Sequence, residues 1–381
     1  MLSLRFHNGL ILDPRLGVLE ELAIADGRIL PDGARGRSVD LQGYALLPGA
    51  IDLHGDGFER HLAPRRGALR TTEEGLLALD AELAAAGITT AILAQFWSWE
   101  GGMRSPDFAR ELARALAATR ARLRTDMQIQ LRLETHMIDD FDTVEGFVAE
   151  AGIRYVVFND HLPHQRLAEG RRPPRLTGQA LKSGRNPEAH LRLMQDLHAR
   201  SGEVPDRLTA LAAALIARGV TLGSHDDHTA KDRAAARQMG VTIAEFPETE
   251  EAAKAARDHG DPIILGAPNV MRGASHAGNV SARTLIEAEL CDALVSDYHY
   301  PSLKAAALDL AGGVTPALGP VWDKISARPA EMLGLTDRGT LQPGNRADLV
   351  VLERATGQVA ASFSGGVVSF LGGGFAERLL G

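Results

Sequence analysis

The chain is short of thiols, of aromatic rings and of positive charge. Its one cysteine, Cys291, excludes an intrachain disulfide and a thiolate metal cluster, and reads as a small buried apolar residue. Aromatic residues make up 5% of the 381, against 45% apolar residues and 40 glycines, a balance that suits a tightly wound α/β protein with a substantial core. Lys and Arg number 41 against 49 Asp and Glu, giving a formal net charge of −8 that argues against a nucleic-acid partner. A few local arginines could still hold a small phosphorylated substrate. No apolar run reaches membrane length. The N-terminus shows no basic stretch followed by an apolar segment. A cytoplasmic protein without a membrane partner is the expectation, of one large domain or two.

What is present is an ordered alternation. Residues 1–44 carry short apolar pieces separated by Asn8-Gly9, Asp13-Pro14, Asp26-Gly27 and Asp32-Gly33, which reads as small antiparallel strands. The C-terminal stretch from Gly339 has the same character, and neither end alone could bury a sheet. One composite β-sandwich domain, 1–48 plus 339–381, is expected around a second domain, 49–338. That second domain alternates strand and helix. Strands are predicted at Ile51–Leu53, Ile88–Ala94, Ile129–Glu134, Tyr155–Asn159, Val220–Ser224, Val241–Phe246, Pro262–Gly266 and Ala293–Asp297. Helices such as Thr72–Ala86, Pro106–Arg122 and Pro187–His198 fall between them. Eight such units predict an α/β fold of the TIM (β/α)8 barrel type, whose active site lies at the carboxyl ends of the strands.

Those ends carry the chemistry. The first closes in His54-Gly55-Asp56, the third in Glu134 with His136 beyond, and the fourth in Asn159-Asp160-His161. The fifth closes in His225-Asp226-Asp227-His228, the sixth in Glu245 and the eighth in Asp297-Tyr298-His299. His54 and Asp56 share a side because strand side chains alternate with period two. Taken alone, the pair is either a hydrogen-bonded turn or half of a divalent-metal site. Ligand-type residues at six of eight strand ends favour the metal. His7, His190, His198 and His259 fall elsewhere and read as surface or packing residues.

Four segments carry a resemblance. They are His54-Gly-Asp-Gly-Phe-Glu-Arg-His61, Ser224-His-Asp-Asp227, Gly266-Ala-Pro-Asn-Val-Met-Arg-Gly-Ala-Ser-His-Ala-Gly-Asn279 and Ser296-Asp-Tyr298. With the closing segment Ala347-Asp348-Leu349-Val350, they resemble the amidohydrolase superfamily and, within it, the PhnM diphosphatase family of the carbon–phosphorus lyase pathway. The resemblance implies two divalent metal ions and hydrolysis of α-D-ribose 1-methylphosphonate 5-triphosphate to the 5-phosphate and pyrophosphate. Many amidohydrolases bridge the metals with a carboxylated lysine, but no Lys precedes Lys182 here. The resemblance therefore assigns the bridge to Glu134, with His54 and Asp56 on one metal and His161 and His225 on the other. Asp297 stands beside the attacking water as proton acceptor. Asp160 and Glu245 are alternatives to His161. Zinc is the default for such mixed ligands, with manganese or iron as alternatives.

Loops after strands seven and eight of such barrels often bind phosphate, so Asn269, Arg272, His276 and Asn279 are read as a substrate clamp in a Gly-rich loop. Arg60 and His61 are expected to help, whereas Arg65 and Arg66 read equally well as solvated surface. Residues 162–188, with Arg166, Arg171, Arg172, Arg175 and Lys182, form either a substrate lid or a solvated loop. A homodimer is expected, as the commonest oligomer. Two rivals remain: an amidohydrolase that cleaves a C–N bond, and a metal-free scaffold on the same fold.

Overall fold

The computed structural model of the chain describes residues 3–63, 71–273 and 279–380. Five strands open the chain: β1 (Leu4–Asp13), β2 (Gly17–Ala25), β3 (Arg28–Ile29), β4 (Arg37–Asp40) and β5 (Tyr44–Pro48). Eight follow: β6 (Ala50–Gly55), β7 (Ile88–Trp97), β8 (Asp126–Glu134), β9 (Tyr155–Asn159), β10 (Thr221–His225), β11 (Ile243–Glu245), β12 (Ile263–Gly266) and β13 (Ala293–Val295). Three more, β14 (Leu349–Glu353), β15 (Val359–Ser364) and β16 (Val367–Leu371), close it.

Strands from both termini join in one sheet, in the order β16-β15-β14-β5-β1-β2-β3, with β4 also on β1. The junction between the ends is antiparallel, with Leu46 opposite Val351. β1 changes neighbour along its length. Leu4–His7 pair with β4 and Leu10–Ile11 with β5, on either side of Asn8, whose φ of 58° kinks the strand. Asp26 (φ 52°) and Gly27 (φ 79°) make the tight turn between β2 and β3 with both central residues at positive φ, as a two-residue hairpin requires. The core of this sheet holds Phe6, Ile24, Leu46, Val351 and Phe363. An unforeseen C-terminal helix, Gly373–Leu380, adds Phe375 and Leu379 to it.

The eight middle strands form the second sheet in chain order, β6 to β13, with parallel pairing, and a parallel bridge between Gly55 and Asp297 brings the last strand back to the first. This is a (β/α)8 barrel. All ten residues of β7 and all six of β6 are buried, the continuous burial that helices on the outer face impose on parallel strands. Most predicted elements reappear within a few residues, for example Thr72–Ala85 and Pro187–Ala199. One expectation fails. Residues 267–272 are a short helix rather than loop, opened by Pro268 and stopped by Gly273 at φ 70°. The 162–188 stretch also contains helices, His164–Ala168 and Leu176–Lys182.

By compactness the chain divides into two units. One comprises Met1–Leu93, Ala118–Gln128 and Pro262–Gly381, and the other Ala94–Ala117 and Ile129–Asp261. The first holds the terminal sheet with the first, seventh and eighth barrel strands. The second holds β9, β10 and β11, and has a small core of its own where Trp99, Leu162, Leu167, Leu176 and Met194 pack together.

Candidate active site

In the first unit the site is built on β6. Asp52 and His54 alternate with Ile51 and Leu53, so they share one side of the strand, and both are fully buried. Asp52 accepts hydrogen bonds from the backbone N–H of Ser296, at 2.9 Å, and from its hydroxyl. Burial pushes the Asp52 carboxyl up despite those bonds. The latch holds the segment after β13 against β6. Asp297 N–H then donates to His54 O at 3.0 Å, and Asp56 N–H donates to Asp297 O at 2.8 Å. Asp297 itself sits at φ 55°, a conformation disfavoured for a residue with a Cβ. The strand-one motif and the strand-eight carboxylate, 241 residues apart in sequence (297 − 56), are thus neighbours through their backbones. Gly55 is required there: a Cβ would lie 2.6 Å from a Tyr300 ring carbon and 2.7 Å from Asp52 Oδ2.

The arginines expected to meet substrate gather at the same turn. Arg60 donates to Tyr298 O at 3.0 Å, and its guanidinium lies 5.6 Å from the centre of the Tyr300 ring. Arg272, exposed at the end of the helix Ala267–Arg272, lies 5.5 Å from the centre of the Tyr298 ring. Burial raises the Tyr298 hydroxyl above its ordinary value, against the lowering effect of Arg272. Arg60 and His61 both also engage Glu82, a partner the sequence did not advertise. Asn269 and Asn279 are half-buried. His276, Arg65 and Arg66 lie outside the described residues.

In the second unit Glu134 ends β8 with no exposed surface. Its carboxylate accepts Trp99 Nε1–H at 3.2 Å and His161 N–H at 3.1 Å, and meets the His161 ring through Nδ1. Burial pulls the His161 imidazole down, but the bond to Glu134 and its charge together leave it raised above its ordinary value. His225 ends β10 with its tautomer fixed. Arg132 has only donors and places Nη2 3.0 Å from His225 Nε2, so Nε2 carries the lone pair. Nδ1–H then faces Asp226 Oδ2 at 2.9 Å. Asp226 is held low because its histidine partner and nearby cations outweigh burial. A ligating imidazole needs this arrangement, an acceptor nitrogen forward and a carboxylate behind. Asp227, next along the chain, instead accepts from Ser224 at 2.6 Å and Arg233 at 3.2 Å.

Two alternative ligands are held differently. Glu245 is buried and accepts from Gln130 and Tyr155, each at 2.6 Å. Asp160 turns away from its neighbour His161 and faces His136 and His164, at 3.5 Å and 2.9 Å. The donor types assembled here, imidazole nitrogen and carboxylate oxygen, suit divalent cations of the zinc kind. His161 fits as well, since with Nδ1–H bonded to Glu134 the neutral ring keeps its lone pair on Nε2. Asp52, Glu82, Trp99 and Arg132 were missed from sequence. Period-two alternation would have found two of them, because Asp52 lies two residues before His54 and Arg132 two before Glu134.

No family model matches the chain. Among curated proteins it is 33% identical over 323 residues to the alpha-D-ribose 1-methylphosphonate 5-triphosphate diphosphatase of Escherichia coli (strain K12), covering 83% of this chain and 85% of that one. The chain belongs to the PhnM family. As a PhnM-family member it is a hydrolase of the amidohydrolase superfamily. Solved structures with the same fold include a putative prolidase from Bifidobacterium longum (TM-score 0.62, 15% identity, 100% of this chain and 98% of that one). N-acetylglucosamine-6-phosphate deacetylase from Pasteurella multocida is another (TM-score 0.60, 12% identity, 96% and 99%). An adenosine deaminase from Xanthomonas campestris with bound zinc is a third (TM-score 0.54, 15% identity, 100% and 96%). Among the described residues no helix is long and apolar enough to cross a membrane.

Proposed function

We propose that this PhnM-family chain hydrolyses α-D-ribose 1-methylphosphonate 5-triphosphate to the 5-phosphate and pyrophosphate. The observation that carries the reading is the match to the Escherichia coli diphosphatase across most of both chains. Two divalent cations, zinc by default and manganese or iron as alternatives, would be held by His54 and Asp56, by His161 and His225, and by Glu134 between them. Glu245, a buried carboxylate oxygen donor, is the alternative ligand to His161. When bound, such cations lower the pKa of water and offset negative charge on phosphoryl oxygens.

The chain's own groups do the rest. Asp297 takes a proton from the water that attacks the α-phosphorus. The bond from that phosphorus to its bridging oxygen breaks, and pyrophosphate leaves with the electron pair. Asp297 can return the proton to it. Asp226 fixes the His225 tautomer, and Asp52 fixes the backbone that carries Asp297. Arg272, Arg60, His61, Asn269, His276 and Asn279 are assigned to the phosphate and phosphonate oxygens, where guanidinium forks offset charge inside an acidic protein. The enzyme is assigned to the cytoplasm and to a homodimer.

The test is a panel of ribose 5-triphosphates with and without a C1 methylphosphonate, assayed for pyrophosphate and, with aminated or cyclic-amide substrates, for ammonia or ring opening. Pyrophosphate release that prefers the methylphosphonate is expected. C–N cleavage without pyrophosphate release would overturn the assignment. Asp297→Asn should lower kcat by about 10²–10⁴, the usual worth of a positioned acid or base, with the circular dichroism spectrum unchanged. Wild-type turnover in that variant would remove Asp297 from its role.

A further inference from the structure

We propose that His136, Asp160 and His164 form an additional metal site, for one divalent transition cation of the zinc class, separate from the residues assigned to hydrolysis. All three lie in the second compact unit. His136 stands two residues beyond β8, Asp160 directly beyond β9, and His164 opens the helix His164–Ala168. One donor atom from each lies within 4.8 Å of the other two. A tetrahedral zinc site with bonds of 2.0–2.2 Å needs its donors about 3.4 Å apart, so the three close on a cation by moving about 1 Å. Asp160 already divides its oxygens, with Oδ2 2.9 Å from His164 Nε2 and Oδ1 3.5 Å from His136 Nδ1.

The far side of each imidazole is engaged as a ligating histidine requires. The Ser201 hydroxyl donates to His198 O at 2.7 Å, so its oxygen accepts the Nε2–H of His136 at 3.0 Å. The Nδ1 lone pair of His136 then points to the Asp160 carboxylate, with the Thr135 hydroxyl at 3.3 Å. A lone pair facing an anion 3.5 Å away is repulsive, and a cation between them resolves it. On His164, Nδ1 lies 2.8 Å from His198 Nδ1, which can accept its proton when Nε2 ligates. His198 is therefore a positioning residue. The rings are close, with centres 4.8 Å apart for His136 and His164 and 5.0 Å for His164 and His198.

Access is open on one side only. The His136 side chain is 5% exposed, whereas Asp160 and His164 are 38% and 35% exposed. Three protein ligands and a solvent-facing fourth position describe a mononuclear N2O site, and that donor set favours Zn2+, Ni2+ or Co2+ over Mg2+ or Ca2+. The cation would tie the ends of β8 and β9 to the helices at His164–Ala168 and Pro187–Ala199, holding the 162–199 excursion in place.

The full chain is stripped with chelator, reloaded separately with Zn2+ and Co2+, desalted and assayed for metal per chain, alongside His164→Ala, Asp160→Asn and Glu134→Gln. His164→Ala and Asp160→Asn should each hold one equivalent less than the wild type, and the visible absorption of the Co2+-loaded protein should lose one component in both. Glu134→Gln should keep that component. Asp160→Asn is nearly isosteric and supplies the comparison if the alanine variant fails to fold. Equal metal content and equal spectra in the wild type, His164→Ala and Asp160→Asn would leave a hydrogen-bonded His-Asp-His chain and overturn the site. The readout is a difference of one equivalent, whatever the total. A wild type that holds one ion, lost in His164→Ala, keeps this site and overturns the two-cation centre; a wild type that holds two, both retained in His164→Ala, does the reverse.

Discussion

At the scale of the residue, the same side chain type does opposite work depending on what surrounds it. Glu134 draws His161 above its ordinary pKa, and Asp160 does the same for His164 through a direct bond. Among the described residues no carboxylate bonds His190, and Glu100 acts on it only at a distance. His190 is fully buried on the helix Pro187–Ala199, its ring 5.6 Å from Trp99, with the Arg185 guanidinium 3.4 Å from Nδ1. Burial first, and then Arg185, lowers its pKa below the usual 6.5. The sign follows from linkage. Between the lowered folded value and 6.5 the unfolded chain binds more protons, so stability rises with pH there. The contribution of neutral His190 is complete above about pH 6.5 and is lost as pH falls through that window, at about 1.4 kcal/mol per unit of displacement. His190→Phe, which keeps the contact with Trp99, should flatten this component. Urea denaturation of both proteins from pH 7.5 to 5 measures it. A stability difference between them that does not change with pH would mean His190 titrates normally.

At the scale of the element, strand ends were the legible part. Glycine and proline turns bracket short apolar runs, so the ends of β6, β8, β9, β10 and β13, and with them His54, Glu134, His161, His225 and Asp297, could be read directly. What sequence could not give was the partners, because Trp99 reaches Glu134, Glu82 reaches Arg60 and His61, and Ser296 reaches Asp52 across the fold and not along a strand. The helix at Ala267–Arg272 was hidden by its two flanking glycines, although Pro268 and Gly273 are ordinary start and stop signals. The 162–188 stretch looked like a basic loop because its arginines dominate the eye. Leu162, Leu167 and Leu176 are what fold it, against Trp99 and Met194. Met194 has no exposed surface. Met194→Ala should therefore cost about 2–5 kcal/mol, as loss of a buried side chain with a residual cavity does. Hydrogen exchange should rise first between residues 162 and 199. Faster exchange spread evenly over the chain, with no excess there, would show that this small core does not act as its own cooperative unit.

At the scale of the whole molecule, the question is how a chain of net charge −8 would hold the proposed triphosphate. Its charge repels the substrate at long range, so the attraction must be local, from Arg60, Arg272 and the proposed cations. The proposed cations would also bear on folding, since a cation beside the fully buried Glu134 would add to the pairing that Trp99 and His161 supply. A metal that binds only the folded chain stabilises it by mass action, about 2.7 kcal/mol at a hundred times Kd. Chelator-stripped protein should therefore melt several degrees lower than protein reloaded with Zn2+, a chain of this size gaining no more than about 2–4 °C per kcal/mol. Glu134→Gln should lose most of that gain while keeping whatever the His136, Asp160 and His164 group supplies. If reloading raised the melting temperature of Glu134→Gln as far as that of the wild type, the stabilising cation would have to sit elsewhere, and Glu134 would be a buried structural acid satisfied by Trp99 and His161 alone.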